Sequence, residues 1–490
     1  MILAELEQMS AAQKYRIDLS VIKKLNDNMA TISRFSYPEE IKDKFIATPG
    51  LKFKDGTTVS SSEIWEFMTN EAPRRFPYAF DAGANNIGRF SDDVHFLSGI
   101  KRAYLTLTLK DRVMKQHAAG TPTVLVQGGQ AMDAYYAAGG IPVRPGLVMQ
   151  WARNMEEGLS LRQSETLGLN ILESGRRKIS IDACNQIAAH AAIDNKVVPI
   201  DLIAPFLCLR CSDMSFLVET HRNRVHDIPR YMVDYPVDHE NKPWAAEYIA
   251  AELRELIGKI AALSGRKITD EVLFDEIRLE NRGRKIATEI ADLWWEAENP
   301  PTNSTDFFGI AFLANDFVGD PVASVDLLEQ SKKEIEERIK NNVRGFGVPE
   351  NAKRLFICGS CVGPNAHHAQ TAGAIFVGRD DSWSCISVPV EETGDPYLNI
   401  ARSMLAYPYE QRTEKRAEWT AGMVKRSRAD GVIFMYQWGC NYQSGVARMI
   451  SDIVKERAGV VTTFVEVGEL GRSEATEQST NRVEAFIEMV

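Results

Sequence analysis

The fourteen residues from Val432 to Gly445, VIFMYQWGCNYQSG, decide the fold of this chain. The mostly apolar run Val432 to Tyr436 predicts a buried strand, and Cys440 lies just past its end, before a helical pattern from about Gly445. In open α/β sheets, ligands bind at the carboxyl ends of the strands. A thiol at that position is therefore a candidate metal ligand or catalytic group.

The same construction occurs far upstream. The apolar run Pro199 to Leu209 ends just before Cys211, a helical pattern follows, and Tyr231 begins another short apolar run. Each of these two cysteine-containing segments is preceded by another pair of predicted strands. In each pair, a short strand, a glycine-containing turn and a helical stretch lead to a second strand. These pairs lie at residues 122–143 and 353–377. We infer two related α/β halves, each with a cysteine at a strand end.

The other segments of the chain surround these halves. The expected fold class is α/β, with two related open parallel-sheet domains, a helical N-terminal region and a helical connection. The expected domains are a helical N-terminal region (1–115), a first α/β domain with Cys184 and Cys211 (116–240), a helical connection (241–345) and a second α/β domain with Cys440 (346–490).

Composition and charge narrow the class of protein. The 490 residues are 44% hydrophobic and 25% charged, as in soluble globular proteins, and the net charge of −10 argues against nucleic-acid binding. No apolar stretch approaches the roughly 20 residues that span a bilayer, and the first residues do not resemble a signal peptide. We therefore expect a cytoplasmic protein with neither membrane nor nucleic acid as a partner. Seven cysteines favour thiols or metal ligands over a disulfide framework.

Three cysteines stand out from the others. Cys211 and Cys440 occupy equivalent strand ends, and Cys184 lies in DACNQIAAHAAI, on what the pattern predicts to be a loop entering a helix. Three thiolates that converge on one crevice would suit either iron-sulfur chemistry or zinc, since both take thiolate ligands readily. The spacing of the cysteines does not choose between these metals.

The remaining cysteines are weaker candidates. Cys208 lies inside an apolar run and Cys358 ends a strand, so both are expected to be buried in the core. Cys361 follows a strand end and can reach the same crevice. Cys385 has no partner that the sequence identifies.

Polar residues at strand-to-helix turns are candidates for substrate binding. Gly129, Gln130 and Ser444 lie where backbone amides can meet a carbonyl or phosphate oxygen, although structural turns explain these residues equally well. His367 and His368 are possible proton donors, but the pattern favours surface or packed histidines.

Taken together, these features make the sequence resemble members of the 2-hydroxyacyl-CoA dehydratase and benzoyl-CoA reductase family. The resemblance rests on the order of elements, the three separated cysteines, the opening segment TPTVLVQGGQAMDAYYAAGGIPVRPG and the closing stretch FVEVGELGRSEATEQSTNRVEAFIEMV. It covers roughly residues 115–490.

The resemblance implies a 4Fe-4S cluster held by Cys184, Cys211 and Cys440, with the fourth iron position open to water, a protein ligand or the thioester oxygen of an acyl-CoA substrate. In that family an ATP-hydrolysing activator protein delivers one low-potential electron, the thioester becomes a ketyl radical anion, and loss of the 2-hydroxyl leads to an enoyl-CoA. It also implies a homologous second subunit, in a heterodimer or heterotetramer. Because no GxxxxGK[ST] pattern occurs, ATP use is assigned to the separate activator.

Several alternatives remain open at this point. A dehydratase is the first expectation, and a benzoyl-CoA-type aromatic reductase is the second. Family members commonly place proline after the first cysteine and aspartate after the second, where this chain has Asn185 and Ser212. These departures keep open a non-catalytic cluster-bearing or electron-transfer subunit, and the cysteines alone also allow a structural zinc site.

Overall fold

The fold is given by a computed structural model of the chain. It describes residues 23–24, 36–80, 93–126, 131–144, 158–179, 183–193, 198–207, 211, 214, 217, 219, 222, 228–236, 240, 242–359, 366–437, 440–467 and 477–490.

The described part of the N-terminal region is helical, with one small antiparallel hairpin. Ser60 caps the second helix, because its hydroxyl accepts a hydrogen bond from the Glu63 amide while the Glu63 carboxylate accepts one from the Ser60 amide. The elements are α1 Lys42–Ile46, β1 Leu51–Lys52, β2 Thr58–Val59, α2 Ser61–Glu66, α3 Ala72–Arg75, α4 Leu97–Leu107 and α5 Leu109–Ala118.

The first half contains short parallel strands. The elements are β3 Thr123–Leu125, α6 Met132–Ala137, β4 Ile141–Val143, α7 Leu161–Arg176, α8 Asn185–Ile193, β5 Leu202–Ile203, β6 Phe206–Leu207 and β7 Val233–Asp234. β3 pairs with β4 and β5, and β6 pairs with β7. The apolar run predicted as one strand is interrupted before β6 by Pro205, which has no amide hydrogen to donate to a neighbouring strand. A parallel bridge between Ile203 and Arg230 continues the pairing across the interruption.

Four helices connect the halves: α9 Pro243–Ser264, α10 Asp270–Glu296, α11 Ser304–Asn315 and α12 Pro321–Lys340. The sequence predicts three of them, at 244–263, 269–297 and 324–342, but not α11. The polar residues of α11 lie at its two ends and residues 307–314 are continuously apolar, so no helical period shows. α11 is buried, and its Phe307 ring stacks on Trp294 with a centroid separation of 4.3 Å.

The second half contains a four-stranded parallel sheet. The elements are β8 Lys353–Cys358, α13 Ala366–Thr371, β9 Ala374–Arg379, α14 Asp380–Ile386, α15 Pro396–Ala406, α16 Thr413–Arg426, β10 Gly431–Gln437, α17 Asn441–Ala458, β11 Val461–Val467 and α18 Glu477–Met489. β10 pairs with β8 and β11, and β8 also pairs with β9. Val432, Ile433 and Phe434 of β10 are fully buried, as the apolar run predicts.

Both halves have the same strand order. If the strands of each half are counted along the chain, with β5 and β6 as one interrupted strand, the order across each sheet is second, first, third, fourth. The predicted pair of related parallel α/β halves is therefore confirmed. The order reverses between the first and third strands, so a crevice forms at their carboxyl ends. Cys211 and Cys440 each follow the third strand of their half.

One apolar core extends from the N-terminal region through both halves. Phe45, Leu256, Phe307, Phe376 and Phe434 are all buried members of it. Within the ranges that the structure describes, no helix is both long and apolar enough to cross a membrane.

Candidate functional site

Cys440 lies at the amino end of α17. The helix begins at Asn441, about four residues earlier than the sequence pattern predicts, and Cys440 is its N-cap residue. The amide of Ser444 donates to the Cys440 carbonyl at 3.2 Å, and the Ser444 hydroxyl donates to the same oxygen at 3.0 Å. The structure thus places Ser444 inside the first turn of helix α17 and not in the connection between β10 and the helix. Its role in substrate binding stays a prediction.

The other two candidate thiols also lie at the start of helical segments. Cys211 follows β6, and its carbonyl accepts a hydrogen bond from the Met214 amide at 3.1 Å. Cys184 directly precedes α8, as predicted, and its carbonyl accepts one from the Ala188 amide at 2.9 Å. Cys184 is buried, whereas Cys211 and Cys440 are partly exposed.

One small apolar cluster brings the three cysteines into the same neighbourhood. Cys184 is a member of this cluster, and both Cys211 and Cys440 pack against it. The cluster is separate from the main core, and we call it the thiol cluster. Its buried members are Ala183, Cys184, Ile187, Ala191, Met214 and Leu217. Segments from both halves of the chain therefore meet at the three thiols.

Arg176 holds the segment that carries Cys184. From the end of α7, its guanidinium donates to the Ala183 carbonyl at 3.3 Å and to the side-chain oxygen of Asn185. These acceptors lie on either side of Cys184 in the chain. Asn185 stands where proline is expected from the family resemblance, and here its side chain binds the buried arginine. Arg176 was not predicted as a site residue, because nothing in the local sequence pattern links α7 to the start of α8.

The donor set fits a thiolate-ligated metal centre. Three thiols at one apolar cluster supply the soft ligands that iron-sulfur clusters and zinc prefer. Across the described ranges, no three His, Cys, Asp or Glu side chains form a ready metal-coordinating group. The structure thus places the three cysteines at one cluster, and their role as metal ligands stays a prediction.

The remaining cysteines have different surroundings. Cys358 is buried, as predicted, and burial together with the nearby Asp380 carboxylate holds the pKa of its thiol well above the usual range. Burial also raises the pKa of Cys385 to about 11. The predictions for Cys208 and Cys361, and those for Gly129 and Gln130, lie outside the described residues.

The two neighbouring histidines of the second half lie on the outer side of α13. His367 is exposed, and Nε2 of His368 lies 3.0 Å from a carboxylate oxygen of Glu484 in α18. This position agrees with the expectation of surface or packed histidines.

A buried group of charges lies beside α6. Arg284 of α10 donates to Glu280 at 3.0 Å and to Asp133 of α6 at 3.4 Å, and both carboxylates are fully buried. Four residues before Glu280 on the same helix, Glu276 forms an ion pair with Lys54. Burial and the neighbouring Asp133 hold the pKa of Glu280 well above its usual range, although Arg284 acts in the opposite direction.

A pH dependence of stability follows from the raised pKa of Glu280. The folded chain keeps a proton that the unfolded chain loses, so this contribution is present at low pH and is lost as pH rises through the folded pKa. Each unit of raised pKa destabilises the ionised folded state by about 1.4 kcal/mol. As the pH rises from about 5 to about 8, we expect the Tm of the unsubstituted protein to fall. The Tm of Glu280→Gln should fall less over the same range, as measured by calorimetry.

The control is Glu255→Gln, which changes a solvent-exposed glutamate on α9. It should follow the Tm of the unsubstituted protein at both pH values. Identical pH dependence in all three proteins would contradict a proton on Glu280 in the folded state.

Comparisons with known proteins match most of the chain. The family model described as 2-hydroxyglutaryl-CoA dehydratase, D-component, matches residues 133–490, which include Cys184, Cys211 and Cys440. Subunit alpha of (R)-2-hydroxyglutaryl-CoA dehydratase from Acidaminococcus fermentans is 23% identical over 231 residues, or 45% of this chain. The aligned segment spans 46% of that subunit.

Proposed function

Because this chain belongs to the 2-hydroxyglutaryl-CoA dehydratase D-component family, we propose that it is a catalytic subunit of a 2-hydroxyacyl-CoA dehydratase. In this proposal Cys184, Cys211 and Cys440 hold a 4Fe-4S cluster. The observation that carries the proposal is the meeting of these three cysteines, from distant parts of the sequence, at the thiol cluster.

The chain itself would provide ligands, orientation and protection from water. When bound, the cluster would supply one low-potential electron and an iron Lewis acid for the thioester oxygen. The thiol cluster packs apolar side chains such as Met214 and Leu217 beside the three cysteines, and these side chains would limit the access of water from that side. Arg176 keeps the Cys184 segment against α7, so this ligand is oriented before any metal binds.

The proposal requires two partner proteins. The related subunit from Acidaminococcus fermentans is named as the alpha subunit of its enzyme, which supports a homologous partner subunit for this chain. No GxxxxGK[ST] motif occurs in the sequence, so a separate ATP-dependent activator would deliver the electron.

The metal content of anaerobically purified protein tests this proposal first. We expect about four irons and a similar amount of sulfide per chain, with a broad absorption at about 400 nm that bleaches in air. Assays of the purified pair of subunits with 2-hydroxyacyl-CoA and with aromatic acyl-CoA esters then separate dehydration from ring reduction. Zinc, or no metal, would contradict the proposed radical chemistry.

A further inference from the structure

A buried ion pair lies at the carboxyl end of the second sheet. Nη2 of Arg416 in α16 lies 2.6 Å from Oδ2 of Asp380, and both side chains are only 1% exposed. Asp380 directly follows β9, and it also accepts hydrogen bonds from the Cys358 thiol at 3.1 Å and the Gly359 amide at 2.9 Å. The ion pair therefore connects the ends of β8 and β9 to α16.

The same guanidinium extends to the first turn of α17. Nη1 of Arg416 donates to the Tyr442 hydroxyl at 3.0 Å, and Nη2 donates to Oε1 of Gln443 at 3.3 Å. The Tyr442 hydroxyl donates in turn to the Tyr409 carbonyl at 2.8 Å. The guanidinium also lies over the Tyr409 ring, 3.8 Å from its centroid. Tyr442 and Gln443 are two and three residues after Cys440.

We propose that Arg416 and Asp380 are positioning residues that hold the first turn of α17, and with it Cys440, against the strand ends of the second sheet. The proposal rests on the function proposed above, in which Cys440 is a metal ligand. A buried ion pair adds little net stability compared with apolar residues of similar volume, but its directional contacts favour one arrangement of the groups it joins. The planar fork of arginine suits this task, because several donors point to different acceptors at fixed angles.

The first half is built differently at the corresponding strand end. Arg144 follows β4, the second strand of that half, and donates to the side-chain oxygen of Asn315 at 2.6 Å. Asn315 belongs to the helical connection and not to the helix that follows the third strand. In the half that contains Cys440, Arg416 links the second strand end to the first turn after the third strand, and the contact that the structure describes for Arg144 is of a different kind.

The reactivity of the Cys440 thiol tests the proposal without requiring a bound cluster. The full chain with its partner subunit is stripped of metal and treated with iodoacetamide, and the alkylation rates of Cys440 and Cys211 are followed by peptide mass spectrometry. We expect Arg416→Gln to raise the Cys440 rate about tenfold and Tyr442→Phe about threefold, because each leaves a buried hydrogen-bonding group without its partner. The Cys211 rate should not change. Arg416→Lys should give an intermediate Cys440 rate, since a lysine amine cannot reproduce the fork.

Arg426→Gln is the matched control. Arg426 lies on the same helix, but it is solvent-exposed and forms an ion pair with Asp292 at 2.6 Å. This variant should leave both alkylation rates unchanged. Tyr442→Phe removes only one hydroxyl, so it keeps the test valid if Arg416→Gln does not fold.

Two outcomes would overturn the proposal. Unchanged Cys440 alkylation in Tyr442→Phe and in every Arg416 variant that folds would show that the network does not hold this turn. An equal rise at Cys211 and Cys440 would show general destabilisation. Absence of iron from the unsubstituted protein is a separate result, because it contradicts the proposed function whereas the alkylation rates report on the network itself.

Discussion

Replacing Cys440 with alanine is expected to remove most of the iron from the purified protein, whereas replacing Cys385 is expected to leave the iron content unchanged. Cys440 packs against the thiol cluster, and Cys385 does not belong to it. Loss of a group that merely orients a metal ligand lowers metal affinity about 10- to 100-fold, and loss of the ligand itself should lower it at least as much. Iron and sulfide analysis of anaerobically purified variants measures the effect.

Cys385→Ala is the control for this experiment because it also removes one thiol from the second half. Burial raises the pKa of Cys385 to about 11, so its thiol remains protonated at neutral pH. Equal iron content in the unsubstituted protein and in Cys440→Ala would refute the assignment of Cys440 as a ligand. Equal losses in both cysteine variants would indicate damage to the fold.

The second large effect is expected from Gly175→Ala in α7. A Cβ atom at this position would lie 2.0 Å from the carbonyl oxygen of Ala188 in α8, and backbone atoms cannot move aside as a flexible side chain can. Overpacking of this kind destabilises proteins by about 1–3 kcal/mol, and a backbone collision favours the upper end of that range. α8 would have to move away, and it carries Cys184 just before its first residue. We expect a lower Tm and a lower iron content.

A glycine with open surroundings provides the comparison. A Cβ atom added at Gly422 of α16 would meet no neighbouring group of the described residues within 4 Å. Gly422→Ala should therefore stabilise its helix by about 0.5–1 kcal/mol. Thermal unfolding and iron analysis of both variants distinguish the two environments. If Gly175→Ala has the Tm and iron content of the unsubstituted protein, the close contact between α7 and α8 is not needed at the site.

The strands of the second half are the most accurately predicted elements. The segment Lys353–Cys358 was expected as a strand and is β8, residue for residue. Strands of a parallel sheet are covered on both faces, so they appear in sequence as short continuous apolar runs. The repeated pattern of strand, turn and helix was also sufficient to predict two related halves.

The sequence pattern missed α11 and placed the start of α17 too late, and these two errors have different causes. α11 is continuously apolar at residues 307–314, with its polar residues at the two ends, so it has no polar face to reveal its period. The first turn of α17 contains Asn441, Tyr442 and Gln443, which resemble a loop in the sequence. In the folded protein, Arg416 of α16 donates hydrogen bonds to Tyr442 and Gln443 of this turn. These contacts come from a different helix, so the local sequence does not reveal them.

The sequence by itself determined the α/β class, the duplication and the positions of Cys211 and Cys440 after equivalent strands, because apolar runs and turns are local features of the chain. Only the tertiary structure decided that Cys184 joins them at one cluster. That meeting depends on the close packing of α7 on α8 at Gly175, on the contacts of Arg176 and on segments from both halves. Such contacts join residues far apart in sequence, and their formation depends on side-chain fit in three dimensions, which local periodicity does not encode.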